Sequence, residues 1–213
     1  MKTTEMIDEL AGELTPDKGL DSLSRFLLKC VLACMLILGL SLFILPIRDN
    51  LEVKLSEARF AFESLLWVVI AFLSGIVAYK SSIPGMPVKV PVTAAKIVFS
   101  VLLLVILSGG LEVSLWADFQ KEMDMSRSWC GPIILIIGTL GTVGLFQWAK
   151  KLAPTNYNRT GFWMATSASC LGSVAMQFVC AHDTATHLYL LHVLPTLLLG
   201  IIGSLAANKL LRW

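Results

Sequence analysis

Six long apolar stretches separated by short polar connections follow a polar opening segment in this chain. A bilayer core about 30 Å thick takes about 20 helical residues per crossing, and each stretch has roughly that length. The pattern predicts helical spans over Phe26 to Leu45, Phe60 to Tyr79, about Val92 to Trp116, Trp129 to Ala149, Gly161 to Cys180 and His187 to Asn208. Helix-breaking residues mark three of the turns: Pro46, then Pro84, Gly85, Pro87 and Pro91, then Pro154. The expected fold is all-α, a polytopic membrane protein built as a bundle of six transmembrane helices with short loops. A cytoplasmic N-terminal tail, residues 1–25, precedes the six-helix domain of residues 26–213.

Composition strengthens this picture. Of 213 residues, 56% are hydrophobic with 15 glycines besides, and only 15% are charged. Soluble domains carry about 25% charge, so there is too little polar surface here to wrap a water-soluble core of this size. The lipid bilayer is therefore the first expected partner. A net charge of +2, with the basic residues dispersed along the chain, argues against direct contact with nucleic acid.

The basic residues also orient the bundle. The tail, the second and fourth loops and the C-terminus hold Lys2, Lys18, Arg25, Lys80, Lys89, Lys150, Lys151, Arg159, Lys209 and Arg212. The opposite side holds only Arg48, Lys54, Arg59, Lys121 and Arg127. Both termini are therefore expected in the cytoplasm. Acids in the tail rule against a signal peptide, whose start is basic. Trp67, Trp116 and Trp129 are expected near outer span ends, and Trp148, Trp163 and Trp213 near inner ones.

No ionisable residue falls at mid-membrane. Lys29, Glu63, Lys96 and Glu112 lie within a turn or two of a span end, where stretching to the interface is expected. Gly138, Gly141 and Gly144 in the fourth span, and Ala165, Ser169, Gly172 and Ser173 in the fifth, are small enough to let two helices approach closely. Pro195 removes a backbone bond from the sixth span and should bend it.

Candidate chemistry gathers on the outer face. Cys30, Cys34 and Cys170 lie inside spans and read as packing. Cys130 opens the fourth span and Cys180 closes the fifth, and since these spans run antiparallel, both thiols reach the outer surface at similar height. Three readings stay open: a disulfide in an oxidising compartment, a thiophilic metal site completed by His182, Asp183 and His187, or two unpaired interfacial thiols. His192, deeper in the sixth span, reads as packed or bonded to a carbonyl. No cofactor is required by any of these readings, a bound thiophilic metal ion being the one candidate.

The tail carries its own pattern. A capping hydroxyl precedes acids, and Met6, Ile7, Leu10 and Leu14 form one apolar stripe at helical spacing beside Asp8, Glu9 and Glu13. Residues 1–25 hold six acids against three basic residues, so anionic lipid repels them. Such a helix suits a groove on a protein partner, preferably a basic one; a disordered or self-docked tail is the alternative.

Four segments together resemble a known family: Met6-Ile7-Asp8-Glu9-Leu10-Ala11, Ser128-Trp129-Cys130-Gly131, Cys180-Ala181-His182-Asp183 and Leu210-Leu211-Arg212-Trp213. Their order and spacing resemble the NrsF-type negative regulators of sigma factor F, over nearly the whole chain and most strongly from Ser128 to Trp213. The resemblance implies an inner-membrane anti-sigma factor that holds an extracytoplasmic-function (ECF-type) sigma factor at its cytoplasmic tail and releases it under heavy-metal or oxidative stress. It also implies that Cys130 and Cys180 are the sensor thiols and that the protein is not an enzyme. Other readings are a quinone-linked membrane thiol oxidoreductase, which ordinarily carries a CxxC pair absent here, and a small transporter.

Overall fold

The computed structural model describes residues 22–108 and 129–212, and these are helical apart from their connections. In chain order the helices are α1 (Leu23–Ile44), α2 (Leu51–Ser56), α3 (Ala58–Ser81), α4 (Lys89–Leu107), α5 (Cys130–Ala149), α6 (Tyr157–Val179), α7 (Ala185–Leu188) and α8 (Leu194–Leu210). A π-helical turn, Tyr189–Val193, joins α7 to α8, so that Ala185–Leu210 is one continuous span. Among the described residues six helices are long and apolar enough to cross a membrane, matching the six expected spans. The expected extension of the third span to Trp116, the neighbouring Glu112, and the tail residues Met6, Ile7, Asp8, Glu9, Leu10, Glu13 and Leu14 lie outside the described residues.

Helix α6 is the hub. It is the least apolar of the six, yet 72% of its most apolar stretch is buried, against 11% for α1. It packs on α8, α3, α5 and α1. Small polar side chains make this packing workable, because a Ser or Thr in a dry interior can bond a carbonyl on its own or a neighbouring helix. Ser167 donates to the Ala71 carbonyl at 2.8 Å and Thr160 to the Ser81 carbonyl at 3.3 Å. A Cβ added to Gly161 would meet the Gly203 carbonyl and Ala207 on α8, and one added to Gly138 would meet Leu199 at 2.5 Å and Ser169 at 3.0 Å. Gly141 faces Ala168 likewise, whereas Gly144 has nothing within 4 Å. The expected α5–α6 seam is thus present for two of its three glycines.

The outward faces of α1, α5 and α8 expose Leu32, Leu36, Leu40, Ile136, Leu140, Ile201 and Leu205. A lipid environment accommodates such unbroken apolar surface. Two expectations need correction. Trp67 is no interfacial anchor: it is fully buried in a cluster with Ile70, Leu102 and Ile106. Glu63 does not stretch outward either; it is buried and accepts a bond from Gln177 Nε2 at 2.9 Å, because a partner inside the bundle replaces water.

The two ends of the bundle differ. At one end α1 begins at Ser22, whose hydroxyl caps the helix, and Phe26 packs on Tyr79 and Trp148 with ring centroids 5.2 and 4.7 Å apart. At the other end α1 gives way to Arg48, and the cysteines at the start of α5 and the end of α6 meet there.

Candidate functional site

Cys130 is the first residue of α5, and Cys180 ends α6, its N–H still bonded to the Met176 carbonyl at 2.8 Å. Antiparallel packing through the Gly172–Ile134 contact sets the two sulfurs side by side, each residue 6% exposed and neither in a disulfide. Ile134, Met176 and Leu191 close around them.

Two histidines complete the cluster. Thr184 caps α7 by accepting the His187 N–H at 3.3 Å, which points the His187 ring back to Cys180, with Nε2 3.2 Å from Sγ. His192 arrives by a different device. In an α-helix residues five apart point about 140° away from each other. The π turn widens the coil, bonding the Leu194 N–H to the Tyr189 carbonyl, and brings the two rings to a centroid distance of 5.7 Å. Pro195 lacks the N–H that would bond the Leu191 carbonyl, which favours the irregular turn just before it. The ligand atoms of Cys130, Cys180, His187 and His192 all lie within 4.8 Å of one another.

The electrostatics favour a thiolate. The Cys180 sulfur is held well below the ordinary thiol range by the hydrogen bond from Cys130, with the His187 and His192 rings adding to it against the upward push of burial. Neither ring nitrogen of His192 reaches ordinary hydrogen-bond geometry, although both are buried.

Asp183 and His182 go elsewhere than expected. Asp183 takes two bonds from Arg48, at 3.0 and 2.7 Å, and one contact from Lys54 at 3.2 Å, so a cation pair and not the thiols claims it. Burial raises the Asp183 carboxyl, but the bonds and charge of Arg48 and Lys54 outweigh it and hold the group below its ordinary value. The His182 ring lies tilted against His187 at a centroid distance of 5.1 Å without a place among the four ligand atoms, and its carbonyl lies 3.9 Å from Cys180 Sγ. His192, read from sequence as packed or carbonyl-bonded, stands in the cluster instead. The signal that could have found it was Pro195 three residues later.

Arg48 is the second residue that the sequence undervalued. Its side chain is fully buried, it bonds Asn50 Oδ1 at 2.7 Å, lies 5.3 Å over the Phe60 ring, and its N–H donates to the Phe178 carbonyl at 3.2 Å. It therefore ties the far end of α1 to the loop that follows Cys180.

Compared with known proteins, the chain matches the family model described as negative regulator of sigma F over residues 10–213. It belongs to that family. Among members of the negative regulator of sigma F family, it is 35% identical over 101 residues to the anti-sigma-F factor NrsF of Caulobacter vibrioides (strain NA1000 / CB15N). That match covers 45% of this chain and 47% of the relative, so the chain spans about half the relative's length. No solved structure matches.

Proposed function

We propose that this chain is an anti-sigma factor of the bacterial inner membrane, both termini cytoplasmic, that holds an ECF-type sigma factor on residues 1–25. Oxidant or a thiophilic metal reaching Cys130 and Cys180 at the outer face releases the captive. The protein turns over no substrate in this reading. Its family and the name of the Caulobacter relative support a sigma factor as the partner class. The observation that carries the sensing half is the meeting of both thiols at the end of the bundle opposite the start of α1.

This reading routes the signal through the Arg48–Asp183 pair. Cys180 lies three residues from Asp183, Asp183 holds Arg48, and Arg48 ends the segment that α1 begins. With α1 the least buried span, its pose depends heavily on that tether. A ligand shifts such an arrangement only by binding one of two poses more tightly than the other.

The test uses the full chain in its membrane with candidate sigma factors. Wild type should co-purify with one and lose it on exposure to cadmium or a thiol oxidant. Removing residues 2–21 should abolish capture, and Cys130→Ser with Cys180→Ser should keep capture and lose release. Capture without the tail, or undiminished release without the thiols, overturns the reading.

A further inference from the structure

The four-residue cluster has more specific chemistry than a thiol pair. We propose that Cys130, Cys180, His187 and His192 form a closed, four-ligand site for one divalent cation of the zinc class. The proposal rests on the sensor reading for its cellular meaning, while its geometry stands apart from it.

Donor type selects the ion. Two sulfurs and two imidazole nitrogens suit zinc, cadmium or cobalt(II), and offer nothing to magnesium or calcium, which take oxygen. A tetrahedral zinc ion places such donors about 3.4–3.8 Å apart. Cys180 Sγ and His187 Nε2 already stand at 3.2 Å, and no separation within the set exceeds 4.8 Å. Side-chain rotations of about an ångström close the remainder. Two thiolates also cancel the charge of a divalent ion, so the loaded site is neutral where the bundle offers little water.

Burial and order point the same way. His187 is fully buried and His192 is 1% exposed, so no side of the cluster lies open for a substrate, as in structural rather than catalytic zinc sites. A buried polar atom without a well-formed hydrogen bond costs about 1–3 kcal/mol, and neither ring nitrogen of His192 makes one of regular geometry. A cation bound at one of them removes part of that cost. The Thr184 cap fixes the backbone of His187, and the π turn turns His192 inward, so both histidines are aimed before any ion arrives. Binding forms two metal–sulfur and two metal–nitrogen bonds and releases whatever protons the two thiols still carry.

The experiment titrates Co(II) into full-length, chelator-stripped protein in detergent. Tetrahedral coordination should appear as strong visible d–d bands with a near-ultraviolet thiolate charge-transfer band, saturating at one ion per chain and bleached by Zn(II). His192→Gln should weaken binding at least about tenfold, Cys130→Ser should diminish the charge-transfer band, and His182→Ala should change neither. Helicity and thermal unfolding, recorded for each variant, separate lost ligation from lost folding. Weak octahedral bands in folded wild type, or tetrahedral bands that survive His187→Gln with His192→Gln, overturn the site. Cobalt bound as described with no effect of metal on sigma retention upholds the site and sinks the reading of the thiols as a metal sensor. Absent cobalt binding, with stress release still dependent on Cys130, sinks the site and leaves the thiol sensor standing.

Discussion

Arg48 and Asp183 join the outer end of α1 to the loop after Cys180 through paired hydrogen bonds of 3.0 and 2.7 Å, with the Arg48 side chain fully buried and that of Asp183 32% exposed. A bidentate guanidinium–carboxylate pair fixes orientation as well as distance, and lysine cannot reproduce it. Arg48→Ala should therefore destabilise the bundle by about 1.5–3 kcal/mol, the range for hydrogen bonds to a charged group, and Arg48→Lys should restore only part of it. Thermal unfolding in detergent measures the loss. The same variants should leak sigma factor without stress, because the α1 tether is gone; wild-type retention in Arg48→Ala would remove this pair from the signalling route.

The pair also sets an acid limit. Since the Asp183 carboxyl titrates below its ordinary value in the folded chain, its ionised form is favoured by folding. The stabilisation is full above the unfolded carboxylate pKa and is lost as pH falls through the lower, folded value. Melting temperatures of wild type and Asp183→Asn should differ near neutrality and converge in acid. A gap that stays constant to low pH would show that the carboxylate charge contributes nothing.

Close approach of α6 to α8 depends on two glycines. At Gly161 a Cβ would press on the Gly203 carbonyl and Ala207, and at Gly203 it would lie 2.5 Å from Ala165 Cβ. Overpacking costs typically about 1–3 kcal/mol, and with backbone in the way Gly161→Ala should sit at the upper end. Gly39 on α1 has nothing within 4 Å, so Gly39→Ala should be neutral or stabilise by up to about 1 kcal/mol from helix propensity. Paired unfolding curves decide; equal effects would mean the α6–α8 crossing is looser than described.

The contrast between these helices shows what could be read in the sequence. Spans are legible because lipid demands about twenty apolar residues whatever their neighbours, and the described residues hold a helix for each of the six. Which helix sits centrally was harder: α6 looks least membrane-like, and its Ser, Thr and Gly residues are polar or small because they face helices rather than lipid. Cys130 and Cys180 stood out by depth and register. His192 did not, since a spacing of five from His187 belongs to no face of a regular α-helix, and only the π turn makes them neighbours. Arg48 and Asp183 are 135 residues apart, and charge counting assigned the first merely to a loop.

Replacing the thiols one at a time separates two roles. Cys180 is hydrogen-bonded to both Cys130 and His187, so Cys180→Ser should abolish stress-triggered release, and Cys130→Ser should do the same by removing its partner. Serine nearly matches cysteine in volume, so sigma capture should persist in both. A reporter driven by the sigma factor, read with and without cadmium, distinguishes lost sensing from lost folding. Induction equal to wild type in either variant would end the pairwise role.

Direction across the membrane is the last expectation, resting on the excess of lysine and arginine at the end where α1 begins. The native thiols are poor reporters of it: four of the five are buried and Cys30 is half-buried. Exposed loop positions are better ones. Asp49 lies beside Arg48 at the thiol end, and Lys151 follows α5 at the opposite end. In a Cys30→Ser background, Asp49→Cys should react with an impermeant maleimide added to intact spheroplasts, and Lys151→Cys should react only after lysis. The reverse pattern would put the thiols inside the cell, and a sensor of external stress could then no longer act through Cys130 and Cys180 as described.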